Sequence, residues 1–198
     1  DFIEKPLSLE KTVLVVRKRL LERESLGIRH DIAGELVDRL RDALPYELTA
    51  AQRRVIAEIE ADLAGVHPMH RLLQGDVGAG KTVVAAFAAI RACEHGCQTA
   101  LMAPTEILAE QHYLTFSEWL TPLGIQVVLV TGSQSTRERN QALAAIASGE
   151  AQIAIGTHAL FQDQVVFKSL VLTIVDEQHR FGVHQRMHGV HERVELWT

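Results

Sequence analysis

Residues 75 to 82 read Gly75-Asp76-Val77-Gly78-Ala79-Gly80-Lys81-Thr82, a complete G-x-x-x-x-G-K-T loop. The stretch Arg71-Leu72-Leu73-Gln74 before it predicts a buried strand, and the Ala/Val-rich stretch 83–93 after it predicts a helix. In such a loop the backbone N–H groups turn toward nucleotide phosphates, Lys81 reaches the β- and γ-phosphates, and the Thr82 hydroxyl binds Mg²⁺. The sequence therefore predicts a nucleoside triphosphate site at residues 75–82.

Length and composition predict one ordinary soluble domain with additional helices. The chain has 198 residues, of which 47% are hydrophobic and 23% charged, and its formal net charge is -5. This charge argues against electrostatic binding of nucleic acid by the whole domain, so any DNA contact must be local. The basic clusters available for it are Arg17-Lys18-Arg19 and the pair Arg137 and Arg139.

No apolar run approaches the roughly 20 residues of a membrane span, and no signal peptide opens the chain. We expect a cytoplasmic protein with no membrane partner. Cys93 and Cys97 lie four residues apart without partners at a zinc-site spacing, which favours reduced structural thiols over a metal pair. The absence of an initial Met suggests that Asp1 lies within a longer protein.

Three helical patterns precede the loop. The first covers Leu7 to Arg29 and predicts a connecting helix, the second covers Ala33 to Ala43, and the third covers Thr49 to Leu63 with Thr49 as its N-cap. We predict that residues 1–44 are connecting helices from a preceding domain, and that residues 45–198 form an α/β domain.

Apolar strands and helices alternate through the rest of the chain. This order predicts a doubly wound, mostly parallel α/β sheet whose ligands bind at the carboxyl ends of the strands. The predicted strands are Leu72–Leu73, Thr99–Ala103, Gln126–Val130, Ile153–Ile155 and Leu170–Val175, and the predicted helices are 81–94, 105–120, 136–148 and 158–162.

The last predicted strand ends in two acids, in the stretch Leu172-Thr173-Ile174-Val175-Asp176-Glu177-Gln178-His179. Beside a nucleotide loop, Asp176 is suited to hold Mg²⁺ through water, and Glu177 to orient and deprotonate an attacking water. A solvated acidic loop is the alternative. His179 is compatible with a hydrogen-bonded structural role as well as a catalytic one.

Five motifs together resemble those of superfamily 2 DNA helicases, and among these the branch-migration helicases, over about residues 27–186. They are Gly75–Thr82, Ala103-Pro-Thr-Glu-Ile-Leu-Ala-Glu-Gln-His112, Thr131-Gly-Ser133, Gly156-Thr-His-Ala-Leu160 and Asp176-Glu-Gln-His-Arg-Phe-Gly-Val183. Transcription-repair coupling and replication-restart helicases are similar, but they more usually read Asp-Glu-Glu-His at the acidic motif. The fold implied is that of a RecA-like P-loop NTPase.

The resemblance implies further roles at the nucleotide. Gln52 would contact the adenine edge, since an amide offers a donor and an acceptor side by side, and Tyr46 would pack nearby. Taken alone, the position of Gln52 favours a simple polar residue in the first turn of a helix. His179 would couple the γ-phosphate to DNA and to a partner domain, and Arg180 would share that role. Ala79 stands where the family usually has Ser, which leaves the backbone cradle intact.

The same resemblance implies a DNA-binding groove. It would be formed by Pro104, Thr105 and Glu106, by Thr131, Gly132 and Ser133, and by Gly156, Thr157 and His158, with helix N-termini and small residues next to the phosphates. Ordinary strand-to-helix caps use the same residues and are the alternative. His184, His188 and His191 fall on one helical face, and we favour a solvated face over a metal site there.

The resemblance implies an ATP- and Mg²⁺-dependent DNA helicase motor that acts on branched or duplex DNA in repair and recombination. No Ser/Thr-Ala-Thr segment follows the acidic motif, so we expect the parent chain to supply the second RecA-like domain, with its arginine finger, and the wedge domain. A non-motor P-loop kinase or switch is the competing class, and a folded interaction module is a third possibility.

Overall fold

One six-stranded sheet organises the protein, with strand order β2-β1-β6-β3-β5-β4. The structure, a computed structural model, describes residues 10–16, 34–64 and 69–176. Its strands are β1 (Glu10–Val16), β2 (His70–Gly75), β3 (Gln98–Met102), β4 (Val127–Val130), β5 (Ile153–Gly156) and β6 (Leu170–Val175). Its α-helices are α1 (Glu35–Ala43), α2 (Ala50–Leu63), α3 (Lys81–Glu94), α4 (Glu106–Leu120) and α5 (Thr136–Ser148).

The sheet is mostly parallel, as predicted. Strands β6, β3, β5 and β4 are parallel neighbours, and β1 is antiparallel to both β6 and β2. Strand β2 therefore runs in the same direction as the parallel set. All five strands that precede a predicted motif end at the same edge of the sheet, which confirms the predicted placement of the motifs.

Side chains from the middle strands supply two hydrophobic cores. In β3, Leu101 belongs to one buried cluster and Ala100 to the other, and in β5 Ile155 and Ala154 divide in the same way. Successive residues of a strand point to opposite faces, so both faces of the sheet are covered. Helix α3 is buried without interruption from Val83 to Ile90. Its alanines allow this central helix to pack closely on several neighbours at once.

The segment predicted as a connecting helix contains a strand. Residues Glu10–Val16 form β1, so the helix predicted over Leu7 to Arg29 is wrong for these residues. The run Thr12-Val13-Leu14-Val15-Val16 is rich in β-branched residues, and backbone partners are available on both sides, from β2 and from β6. Tertiary pairing overrides the helical spacing of the apolar residues here. The division into domains at residue 44 stays a prediction.

Strand β2 is also less buried than predicted, because it lies at the edge of the sheet. Leu73 is buried but Leu72 is 50% exposed. Arg71 is held by α2, where its guanidinium donates to Asp62 at 2.6 and 2.8 Å and to Glu58 at 2.7 Å. The strand is therefore anchored on one side by ion pairs that fix the start of the nucleotide loop.

Helices α1 and α2 agree with the predicted patterns. Thr49 is the N-cap of α2 and forms a capping box with Gln52. In α1, Val37 and Leu40 lie in the same buried cluster as α3.

No helix among the described residues is long and apolar enough to cross a membrane.

The first turn of α1 is capped by a side chain from α3. The fully buried carboxylate of Glu94 accepts hydrogen bonds from the backbone N–H groups of Gly34, Leu36 and Val37 at 3.0–3.1 Å, and it pairs with Arg91 at 2.7 Å. A negative charge at a helix N-terminus satisfies donors that have no partner within the helix. Glu94 therefore docks α1 on the central helix.

We expect Glu94→Ala to lower the free energy of unfolding by about 2–4 kcal/mol, because three backbone donors and Arg91 lose their acceptor. Glu94→Gln keeps one acceptor oxygen and should cost about half as much. Urea unfolding of both variants beside Glu118→Ala, which removes an exposed carboxylate on α4, measures the difference. Equal stability of Glu94→Ala and the wild type would contradict this function of the carboxylate.

Candidate nucleotide and DNA site

The loop 75–82 connects the end of β2 to the start of α3. Gly80 is the N-cap of α3 with a φ of 76°, and α3 has no side-chain cap. By contrast α2, α4 and α5 are capped by the side chains of Thr49, Thr105 and Ser135. An α-helix that begins on a glycine-rich loop without a side-chain cap leaves its N-terminus available to an anion. The loop therefore fits a polyphosphate.

Lys81 lies at the centre of this loop. Its ammonium donates to the carbonyl oxygens of Gly75 at 3.0 Å and Asp76 at 2.7 Å, and the residue is only 8% exposed. These contacts place a positive charge against the backbone that the sequence predicts to surround the phosphates. A phosphate oxygen is a stronger acceptor for the ammonium than a neutral carbonyl oxygen.

Gln52 joins α2 to the loop. Its side-chain oxygen accepts from the N–H of Thr49 at 2.8 Å, and its amide nitrogen donates to the carbonyl oxygen of Ala79 at 3.1 Å. Both ends of the amide are thus engaged, and a contact with adenine would exchange these bonds for bonds to the base. The exposed Tyr46 ring leaves a surface on which a base could pack. The role of Gln52 in reading adenine stays a prediction.

Two glycines of the loop have left-handed backbones in different surroundings. A Cβ at Gly80 would lie 2.2 Å from the amide nitrogen of Gln52, whereas a Cβ at Gly78 would meet nothing within 4 Å. The φ angles are 76° and 80°, so alanine is strained at both positions. Only at Gly80 does a side chain also displace a neighbour.

We therefore expect Gly78→Ala to lower the free energy of unfolding by about 1–2 kcal/mol, and Gly80→Ala to lower it further. Gly80→Ala should also weaken binding of a fluorescent ATP analogue by about tenfold or more, because the new methyl group displaces the Gln52 amide from the carbonyl oxygen of Ala79 in the loop. Adding Gln52→Ala to both variants completes a double-mutant cycle. If Gly80→Ala still destabilises the protein more than Gly78→Ala does when Gln52 is replaced by alanine, the contact with Gln52 is not the cause of the difference.

Asp176 follows β6 and is held from two sides. The Thr12 hydroxyl on β1 donates to Oδ1 at 2.8 Å, and Nε2 of His112 on α4 lies 2.7 Å from Oδ2. The backbone N–H of Asp176 also bonds to the carbonyl oxygen of Met102 at the end of β3. Each carboxylate oxygen can accept a second hydrogen bond, so the group can still receive a hydrated cation. Its donor chemistry fits the predicted Mg²⁺ site with Thr82.

Thr12 and His112 were not among the predicted site residues. Thr12 lies in the segment predicted as a helix, where nothing indicated that it would approach the acid. His112 is the last residue of a predicted DNA-binding motif, and its position two turns into a helix gave no sign of a contact with Asp176. Only the tertiary fold brings this turn of α4, which packs mainly on β4 and β5, to the acid that follows β6.

The predicted DNA-binding residues meet at one place. Oε1 of Glu106 accepts the backbone N–H groups of Gly132 at 2.8 Å and Ser133 at 3.1 Å. A hydrogen bond from the Ser133 side chain lowers the pKa of Glu106, and the backbone bonds and His158 add to the effect. The motifs after β3, β4 and β5 are thus neighbours, as the predicted groove requires.

The remaining predicted groove residues differ in exposure. Thr131 and Thr157 are buried, while Ser133 and His158 are exposed. Gly156 allows close packing of β5 on β4, since a Cβ there would lie 2.1 Å from the carbonyl oxygen of Val130. Exposed N–H and hydroxyl groups at this edge are suited to phosphate contacts, and buried threonines are suited to support the strands. DNA contact by these residues stays a prediction.

A basic residue crosses the same edge. Arg139 donates to the carbonyl oxygen of Thr131 at 3.3 Å and to the side chain of Gln162 at 3.0 Å. Both of these partners are neutral, so they do not offset its positive charge. The neighbouring Arg137 is exposed. The pair supplies the local positive charge that the negative net charge of the chain made necessary.

Other predicted residues are structural or lie outside the described part. Cys93 and Cys97 are buried thiols, and burial raises the pKa of the Cys93 thiol, so its thiolate is disfavoured. Within residues 10–16, 34–64 and 69–176, no three His, Cys, Asp or Glu side chains form a metal site. The residues outside the described ranges are Glu177, His179, Arg180, the His184-His188-His191 group and the cluster Arg17-Lys18-Arg19.

A mostly parallel α/β sheet with a phosphate loop at the end of one strand and an acid at the end of another defines a P-loop nucleoside triphosphatase. The family model of the DEAD/DEAH box helicases matches residues 49–196, and the chain belongs to this family. The RecA-like fold predicted from sequence is confirmed.

Proteins named ATP-dependent DNA helicase RecG are relatives at high identity. The Escherichia coli K12 protein is 59% identical over 152 residues, which are 77% of this chain and 22% of the relative. The Bacillus subtilis protein is 50% identical over 169 residues, which are 85% of this chain and 25% of the relative. The chain thus spans about a quarter or less of the curated relatives that it matches.

A solved structure of RecG bound to a three-way DNA junction shares the fold. It has a TM-score of 0.67 and 44% identity over 76% of this chain and 21% of that chain. The resemblance to branch-migration helicases is therefore confirmed as homology, and the domain is homologous to part of the proteins named ATP-dependent DNA helicase RecG.

Proposed function

We propose that this domain is the ATP-binding motor half of a DNA translocase that remodels forks and Holliday junctions in recombination and repair. The observation that carries the proposal is the shared sheet edge: the phosphate loop, Asp176 and the Glu106 cluster all lie at the carboxyl ends of parallel strands. Nucleotide and DNA would then bind at the same edge of one rigid sheet. Homology to RecG supports branched DNA as the substrate.

In this proposal the loop 75–82 binds the triphosphate, and Lys81 neutralises charge on the β- and γ-phosphates. Thr82 and Asp176 would hold Mg²⁺, which supplies electrostatic stabilisation of the transferred phosphoryl group when it is bound. Glu177 would orient and deprotonate the attacking water, and His179 would couple that step to DNA. The competing kinase would need a base for an acceptor hydroxyl, and an acid pair suited to water argues against it.

We further propose that the second RecA-like domain and the wedge domain belong to the same parent chain, since the matched relatives are four to five times longer than the matching region. The second domain would supply the arginine finger, whose absence costs a factor of about 10³–10⁵ in turnover. The isolated domain should therefore bind ATP but hydrolyse it slowly. A cytoplasmic location would follow from action on DNA.

The test compares ATP hydrolysis by the parent protein and by this domain, with no DNA, linear duplex or a four-way junction. We expect ADP and inorganic phosphate in equal amounts from the parent protein, with the junction as the strongest activator, and little stimulation of the domain alone. Phosphate transferred to an acceptor would support a kinase instead. Strong junction-stimulated turnover by the isolated domain would contradict the motor-half proposal.

A further inference from the structure

The contact between His112 and Asp176 belongs to none of the roles predicted for the site residues. Both side chains are largely buried, with exposures of 13% and 17%. An ionised carboxylate can only accept, so the 2.7 Å contact requires that Nε2 of His112 carry the hydrogen. The histidine thus fixes Oδ2 of the acid that is predicted to face Mg²⁺.

We propose that His112 is a positioning residue for Asp176. With Oδ2 held by His112, the carboxylate cannot rotate about its Cβ–Cγ bond, and Oδ1 stays directed toward the side that Thr12 approaches. An acid oriented in this way holds a hydrated cation without first losing rotational freedom. Partners of this kind, which orient a ligand of a metal, commonly change metal affinity or activity by about 10–100-fold when they are removed.

The same helix carries the Glu106 contact. Glu106 begins α4 and binds the N–H groups of Gly132 and Ser133, and His112 follows six residues later, about 9 Å along the axis. A rigid helix therefore connects the predicted DNA-binding loop after β4 to the predicted magnesium ligand. If DNA binding displaces α4, His112 would move with the helix and change the position of the Asp176 carboxylate. This inference rests on the proposed function, because it assumes an Mg²⁺-nucleotide at Asp176.

The first experiment titrates Mg²⁺ into the chain with a fluorescent ATP analogue. We expect His112→Ala to raise the half-saturating Mg²⁺ concentration by about 10–100-fold, with Mg²⁺-free binding of the analogue unchanged. His112→Gln, whose amide offers an N–H donor at a similar reach, should restore most of the affinity, whereas the shorter His112→Asn should not. If His112→Ala does not fold, the difference in Mg²⁺ affinity between His112→Gln and His112→Asn tests the proposal instead.

Two controls separate positioning from general damage. Glu110→Ala removes an exposed side chain on the same helix, and His95→Ala removes an imidazole that bonds only to the carbonyl oxygen of Arg91 at 2.9 Å among the contacts described. Both should bind Mg²⁺ and analogue like the wild type. In an Asp176→Asn background, His112→Ala should have no further effect on the Mg²⁺ dependence, because the group that it positions is already neutral.

The second experiment measures junction-stimulated ATP hydrolysis by the parent protein. We expect His112→Ala to raise the KM for Mg·ATP together with the half-saturating Mg²⁺ concentration, and to lower the stimulated kcat/KM by about 10–100-fold. An unchanged Mg²⁺ dependence in His112→Ala, or equal losses in the Gln and Asn variants, would overturn the inference alone. Failure of the wild-type chain to bind the analogue would overturn the proposed function and this inference with it.

Discussion

Lys81→Ala should lower the junction-stimulated kcat of the parent protein by about 10²–10³-fold, because it removes the charge that we propose stabilises the transferred phosphoryl group. Affinity for the ATP analogue should fall by about 10–100-fold, the equivalent of one lost charge-assisted hydrogen bond. The ammonium of Lys81 already lies between the carbonyl oxygens of Gly75 and Asp76, so the free protein holds it in place before nucleotide arrives. Steady-state kinetics and an equilibrium titration measure the two effects.

Lys81→Arg is the informative companion. It keeps the positive charge but replaces a compact ammonium by a planar fork, which is too large for the short contacts to Gly75 and Asp76. We expect it to retain more nucleotide affinity than Lys81→Ala but little turnover. Lys168→Ala, which removes an ammonium bound to the carbonyl oxygen of Ser148, is the control. Turnover by Lys81→Ala near the wild-type rate would contradict the site.

Sequence alone identified the parts of this domain that depend on local pattern. The strands β3 to β6 and the helices α1 to α5 lie where apolar spacing placed them, since each is a short segment with its own period, and Thr49, Thr105 and Ser135 cap three of the helices. The phosphate loop was predicted because the chemistry demands specific residue types in a fixed order. Local patterns of this kind survive folding unchanged.

What the sequence did not predict depends on contacts between distant residues. Helical spacing and β-branching compete in Thr12–Val16, and only pairing with β2 and β6 decides between them. Leu72 resembles a core residue, but the edge position of β2 exposes it. The contacts of Asp176 with Thr12 and His112 span 164 and 64 positions, and no local pattern encodes them.

Asp176→Asn should lower the stimulated kcat by about 10²–10³-fold while leaving the fold intact. The amide matches the carboxylate in shape, and its two ends suit the partners already present. Its oxygen can accept from Nε2 of His112, and its nitrogen can donate to the Thr12 hydroxyl, which is able to accept as well as donate. We therefore expect the free energy of unfolding to change by less than about 1 kcal/mol.

Asp176→Asn should lose nucleotide affinity only when Mg²⁺ is present. With Mg²⁺, Asp176→Asn should bind the ATP analogue more weakly than the wild type, and in EDTA the two proteins should bind it equally. Asp42→Asn, which neutralises an exposed acid on α1, should match the wild type in both conditions. If Asp176→Asn loses affinity equally with and without Mg²⁺, the carboxylate supports the loop structurally and the cation lies elsewhere. A loss confined to the Mg²⁺ condition assigns the charge of Asp176 to the cation, because the amide preserves the contacts of the side chain with Thr12 and His112.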